Sequence, residues 1–103
     1  MTLRYERMLK AMTLKEKSQG MKREKWFLYI LECSDGKFYT GITKDIEQRL
    51  KRHNDGKAAS FTRVRRPVKL IYREILSSRT QALIREHAIK TLSRKDKEKL
   101  IDS

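Results

Sequence analysis

Apolar residues concentrate from Trp26 onward. Trp26-Phe27-Leu28-Tyr29-Ile30-Leu31 is an aromatic and aliphatic run of strand length, and Phe38-Tyr39-Thr40-Gly41-Ile42 follows it across Ser34-Asp35-Gly36. Two such runs about a Gly-containing turn predict an antiparallel hairpin. Loop length then decides which side chains share a face, because side chains alternate with period two. A two-residue Asp35-Gly36 turn pairs Glu32 with Tyr39 and puts Tyr29 and Tyr39 on opposite faces. A three-residue Ser34-Asp35-Gly36 loop, with Gly36 left-handed in a bulge, pairs Leu31 with Tyr39 and Tyr29 with Gly41. The second is favoured. It places both tyrosines on one face and leaves Gly41, with no Cβ, where another backbone has room to approach.

Helical patterns follow. Asp45-Ile46-Glu47-Gln48 reads as a capping box, opening a helix that Asn54-Asp55-Gly56 closes. Ile46 and Leu50 are its only large aliphatics, and Arg49 and His53, four apart, extend their face. Residues 56 to 67 read as a loop and Val68 to Ile75 as a third strand. Ser78-Arg79-Thr80-Gln81 starts a helix through about Lys90, and Ser93-Arg94-Lys95-Asp96 starts a last one ending near Leu100-Ile101. Ala82, Leu83 and Ile89 define the apolar face of the former, and Glu86 lies within that face. A pair with Lys90 one turn on is the plain reading of Glu86. A metal ligand is the other, since an inward carboxylate is costly without a cation beside it. Residues 1 to 20 form an N-terminal extension in which Tyr5, Met8, Leu9 and Met12 keep helical spacing. That spacing gives an amphipathic helix or a loosely docked terminus, with Met21 as a second candidate start and residues 21 to 103 as the domain proper.

Composition narrows the class. The 103 residues suffice for one core, and Lys plus Arg number 26 against 13 Asp plus Glu, a net charge of +13. Residues 21 to 103 keep +10 of that charge, and Lys57, Arg63, Arg65, Arg66, Lys69 and Arg73 fall between 56 and 73 with no acid among them. Such an excess points to a polyanion, nucleic acid first. No apolar run approaches the roughly 20 residues that span a bilayer, so no membrane partner is expected. The single Cys33 excludes a disulfide framework and a Cys-rich zinc site and fits a reducing cytoplasm.

Taken together, Tyr29, Tyr39-Thr40-Gly41, Arg49, His53 and Glu86 resemble the signature of the GIY-YIG nuclease superfamily, in particular its small stand-alone members. The resemblance runs from about residue 24 to 101 and includes Leu28-Tyr29-Ile30-Leu31, Phe61-Thr62-Arg63 and Arg85-Glu86-His87-Ala88-Ile89-Lys90. Phe27-Leu28-Tyr29 lacks the first motif's usual glycine and isoleucine, and Ile42 stands where many members have a lysine, which Lys44 replaces two residues on. The asparagine of several members is missing, Asn54 being the only one here.

The resemblance implies an α+β fold, a three-stranded antiparallel sheet flanked by helices in the order β-β-α-β-α-α, behind the extra N-terminal helix. It implies a metal-dependent endonuclease on DNA, weakly specific or structure-directed. One Mg2+ or Mn2+ would be held by Glu86, Arg49 would bind the non-bridging phosphate oxygens, and Tyr29, ahead of Tyr39, would take the proton of the attacking water. His53 would assist that transfer or bind phosphate. Gly41, Lys44, Lys57, Thr62, Arg63, Arg65, Arg66 and Lys90 are the expected nucleic-acid contacts. The expected state is a monomer with DNA favoured over RNA and a protein partner supplying specificity. The alternative is a non-catalytic DNA- or RNA-binding module that keeps the nuclease fold.

Overall fold

The computed structural model describes residues 25–103; the helix expected in residues 1 to 20 lies outside them. Strand β1 (Trp26–Glu32) is the centre of a three-stranded sheet, with β2 (Phe38–Thr43) on one side and β3 (Lys69–Leu76) on the other, both antiparallel to it. A central strand covered on both faces must be apolar on both, which is why Phe27 to Leu31 form an unbroken run and are all buried. The β1–β2 register pairs Tyr29 with Gly41 and Leu31 with Tyr39. Gly36 has φ 86°, and Cys33 closes the three-residue loop through its N–H to the Lys37 carbonyl at 2.8 Å. The favoured hairpin is the one that forms. On β3, Leu70 pairs with Leu31 and Tyr72 with Ile30, so Ile71 bulges and both Ile71 and Tyr72 turn to the same core.

Helices cover both faces. Phe27, Tyr29, Leu31 and Cys33 pack against Ile46 and Leu50 of α1 (Ile46–Asn54), Phe61 of α2 (Ser60–Arg63), and Val68. Leu28 and Ile30 pack on the other face against Ile89 of α3 (Arg79–Lys90) and Leu100 and Ile101 of α4 (Arg94–Asp102). The caps read from sequence are made: Asp45 accepts from the Gln48 N–H at 3.0 Å, Ser78 from Gln81 at 3.1 Å, and Ser93 from Asp96 at 3.1 Å.

Two expectations need correction. The segment 56 to 67, read as loop, contains the one-turn helix α2, which turns Phe61 and Thr62 inward. Leu83 does not belong to the buried stripe of α3: it is 39% exposed and Ile84 59%, while Ala82 and Ile89 are fully buried. Ala82 and Ile89 are seven apart, two turns along one face, and Leu83 is rotated about 100° from it.

Candidate active site

Tyr29 projects from the central strand across Gly41 on the edge strand. A methyl group built on Gly41 would lie 2.6 Å from the Tyr29 hydroxyl and 2.7 Å from Cζ. The space that Gly41 leaves is therefore filled by this chain's own phenol rather than held open for an incoming backbone. Behind Tyr29, α1 delivers His53, 1% exposed, with Nε2 2.9 Å from the Tyr29 hydroxyl. On the far side of the imidazole, Nδ1 is 2.7 Å from Oγ1 of Thr62, whose hydroxyl donates to the Ala59 carbonyl at 3.2 Å. That last bond fixes the chain of protons. Since the Thr62 hydrogen is used on Ala59, its oxygen accepts from His53 Nδ1–H, and Nε2 keeps a lone pair for the Tyr29 O–H.

Burial keeps both partners of this hydrogen bond neutral. Burial, with the Arg49 guanidinium adding to it, pushes the His53 imidazole down to about 4, so it is neutral at physiological pH. Tyr29 is pushed up to about 12, chiefly by burial and then by the nearby Tyr39 phenol; Arg49 opposes the rise and hydrogen-bonds the phenol, while Glu86 adds to it. Arg49, Tyr39 and Glu86 thus all act on one hydroxyl. Tyr39 completes the cluster, its ring 5.0 Å from His53 edge-on, 6.3 Å from Tyr29 and stacked on Phe61 at 6.0 Å. Five elements, β1, β2, α1, α2 and α3, supply these groups.

Glu86 is half-buried, and Lys90 reaches its Oε2 at 3.2 Å. The pair expected from helical spacing is made, and the carboxylate's field also reaches Tyr29. Among the described residues no three His, Cys, Asp or Glu side chains stand together as a metal cage. Glu86 therefore fits a hard divalent cation only as a single carboxylate. Such a site suits Mg2+ or Mn2+, whose remaining ligands come from water and a substrate phosphate.

The expected phosphate contacts divide. Thr62 is fully buried and holds His53, so it is not one of them. Arg65 is half-buried, bonds Asp35 at 3.1 Å and the Phe61 carbonyl at 2.9 Å, and covers the Phe61 ring at 4.0 Å. It serves the fold. Lys69 lies 3.5 Å from Glu32, so two of the six cations between 56 and 73 meet acids that the hairpin supplies from far away in sequence. Lys44 stands over the Trp26 ring at 5.6 Å, and Lys90 pairs with Glu86. Lys57, Arg63 and Arg66 are exposed.

Thr62, as the group that fixes the His53 tautomer, escaped sequence reading, which took it for a surface hydroxyl. Asn54 stands in the expected helix stop, and its side chain does more than end the helix. It clamps Val68 at two points, its side-chain oxygen accepting from the Val68 N–H at 2.8 Å and its amide donating to the Val68 carbonyl at 3.1 Å. Glu74, unremarked in the sequence, accepts two hydrogen bonds from Arg85, each at 2.8 Å, and one from the buried Tyr72 hydroxyl. Arg85 adjoins Glu86, so this clamp ties β3 to the helix that carries the carboxylate.

Known proteins match the chain at the level of the whole domain. The family model of the GIY-YIG catalytic domain matches residues 25–99. A UPF0213 protein of Staphylococcus saprophyticus is 50% identical over 78 residues, 76% of this chain and 95% of that protein. Another, from Staphylococcus aureus, is 49% identical over 75 residues, covering 73% of this chain and 92% of its own length. Among solved structures, the solution NMR structure of a UPF0213 protein from Bacillus halodurans is similar with a TM-score of 0.51 at 42% identity, over 76% of this chain and 83% of that one. A protein from E. faecalis, also solved by NMR, has a TM-score of 0.55 at 39% identity, over 78% and 85%. No helix among the described residues is long and apolar enough to cross a membrane.

Proposed function

The chain belongs to the GIY-YIG catalytic-domain family, and from that membership and the chemistry around Tyr29 we propose that it is a divalent-metal-dependent endonuclease hydrolysing DNA phosphodiester bonds in the cytoplasm. The observation that carries the reading is the hydrogen bond from the Tyr29 hydroxyl to Nε2 of a neutral, buried His53.

Phosphodiester hydrolysis needs a deprotonated water, neutralisation of charge growing on the phosphoryl oxygens, and help for the leaving oxygen. A free phenolate is scarce at neutral pH when the phenol titrates near 12. A relay avoids it: as water gives its proton to the Tyr29 oxygen, Tyr29 passes its own to His53 Nε2, and the resulting imidazolium keeps its Nδ1–H on Thr62. Arg49, permanently charged and beside Tyr29, holds the non-bridging oxygens. Tyr39, against His53 and Phe61, orients the water or scissile group. Glu86 would hold a Mg2+ or Mn2+, which would supply Lewis-acid polarisation of the phosphate and assistance to the leaving group. Lys90 pairs with Oε2 alone and leaves the other carboxylate oxygen of Glu86 outside that ion pair. The substrate is read by its phosphates, weakly by sequence, by a monomer guided to its target through nucleic-acid structure or a protein partner.

One observation favours the alternative of a DNA- or RNA-binding module without cleavage: Lys90 already neutralises Glu86. Cleavage of labelled duplex, branched and single-stranded oligonucleotides in Mg2+ and in Mn2+ separates the two. The nuclease reading predicts cutting by wild type, its abolition by EDTA, and its loss in Glu86→Gln and Arg49→Ala with binding retained. Wild type that binds and never cuts above background leaves the binding module.

A further inference from the structure

A second feature lies on the outer side of the His53–Thr62 hydrogen bond. Asn54 follows His53 and Arg63 follows Thr62, and together with Val64, Arg66 and Pro67 they line an open cleft of about 410 Å³. Its volume falls in the range of small-ligand sites, roughly 300 to 1,000 Å³. Its walls are of two kinds. Val64 is 74% exposed, an apolar side chain left in water beside Pro67. Arg63 and Arg66 supply positive charge, and no acid is among the lining residues.

Arg66 is held in place for this. Its Nε donates to the Arg63 carbonyl at 2.8 Å and its NH1 to the Asn54 carbonyl at 3.3 Å. The guanidinium lies against Gly56, where a Cβ would stand 2.9 Å from NH1 and where φ is +77°. These bonds to the described residues use two of its five N–H donors. Asn54, the one lining residue whose side chain carries both a donor and an acceptor for a base edge, spends both on Val68. The cleft therefore has an apolar wall for a base face and cations for a phosphate, and no side chain free to offer a base edge a donor and an acceptor together.

We propose that this cleft docks an unpaired nucleotide of the nucleic-acid substrate at a junction between single and double strand. The proposal rests on the nucleic-acid reading of the neighbouring site and gives it a structural preference. A duplex offers phosphates to Arg63 and Arg66 but keeps its base faces stacked; an overhang or flap offers both, so the apolar wall distinguishes them.

The test is fluorescence anisotropy in EDTA, where cleavage plays no part, with a blunt duplex and with the same duplex carrying an oligo-dT overhang on either strand. Wild type should bind at least one overhang roughly fivefold more tightly than the blunt duplex, the low end of the effect of stacking one base, because the wall is aliphatic rather than aromatic. Val64→Asn, neutral and at an exposed position, should erase most of that preference and leave blunt-duplex affinity within about twofold. Arg63→Gln should weaken both, the overhang more. Equal wild-type affinity for overhang and blunt duplex overturns the proposal and leaves the nuclease reading standing, as does a Val64→Asn variant that keeps the preference or weakens both substrates alike. A preference that Val64→Asn removes supports the cleft even where Mg2+ yields no cutting, a result that would sink the nuclease reading alone. Absence of binding to any of these nucleic acids overturns both.

Discussion

Replacing Gly41 by alanine displaces the Tyr29 hydroxyl without altering any reactive group. The added methyl would sit 2.7 Å from Tyr29 Cζ and 2.6 Å from its oxygen, and both are wedged against His53 behind them. Ordinary carbon contact is about 3.5 Å, so the ring must retreat by about 1 Å. The 2.9 Å bond to His53 Nε2 cannot survive that shift in its present geometry. Loss of the bond and overpacking together should cost about 1 to 3 kcal/mol of stability. A reacting group displaced by about 1 Å should slow cleavage on the order of a hundredfold. The exposed cations Lys57, Arg63 and Arg66 are untouched, so DNA affinity in EDTA should stay within about twofold. Urea denaturation, anisotropy and single-turnover cleavage in Mg2+ would be measured on the same preparation. A Gly41→Ala protein as stable and as fast as wild type would refute the reasoning, because it would mean that Tyr29 does not need the space over Gly41.

The His53 shift fixes a pH dependence. Its folded value of about 4 lies below the ordinary 6.5, so stability is fully present above pH 6.5 and is lost as pH falls towards 4, by about 3 kcal/mol in all. Urea midpoints from pH 7 to 4 should fall more steeply for wild type than for His53→Gln; parallel curves would contradict the shift. Thr62→Val should cost about 1 to 3 kcal/mol by leaving a buried Nδ1–H unpaired, and Thr62→Ser should cost less; equal losses would show that the hydroxyl does not carry the effect. Glu74→Gln should lower stability by about 1 to 2 kcal/mol, the exposure of Arg85 holding the loss below that of a fully buried pair, and an unmoved thermal midpoint would dismiss the β3–α3 clamp.

What the sequence made legible was mostly local. Period-two alternation and a Gly-containing turn narrowed the hairpin to two registers, and the favoured one, which puts Tyr29, Tyr39 and Gly41 on one face, is the one that forms. Capping residues placed three helix starts within a residue. The convergence of Arg49, His53 and Glu86 on Tyr29 came from family resemblance, not from spacing. The partners that complete the site were hidden because they depend on pairing across the fold. Thr62 looked like a surface hydroxyl among cations, and only a one-turn helix inside an apparent loop turns it onto His53, nine residues away. The run of cations between 56 and 73 looked unopposed because Asp35 and Glu32, which meet Arg65 and Lys69, lie in the hairpin. Leu83 was misplaced by one residue, enough to rotate a helical side chain out of the core.

The central claim is that Tyr29 handles a proton during phosphodiester cleavage. Single-turnover cleavage by wild type and Tyr29→Phe, on one labelled duplex at saturating protein in Mg2+, tests it most directly. The account predicts equal binding, a folded variant, and a rate lower by about a hundredfold or more. A Tyr29→Phe protein that cuts as fast as wild type would contradict it.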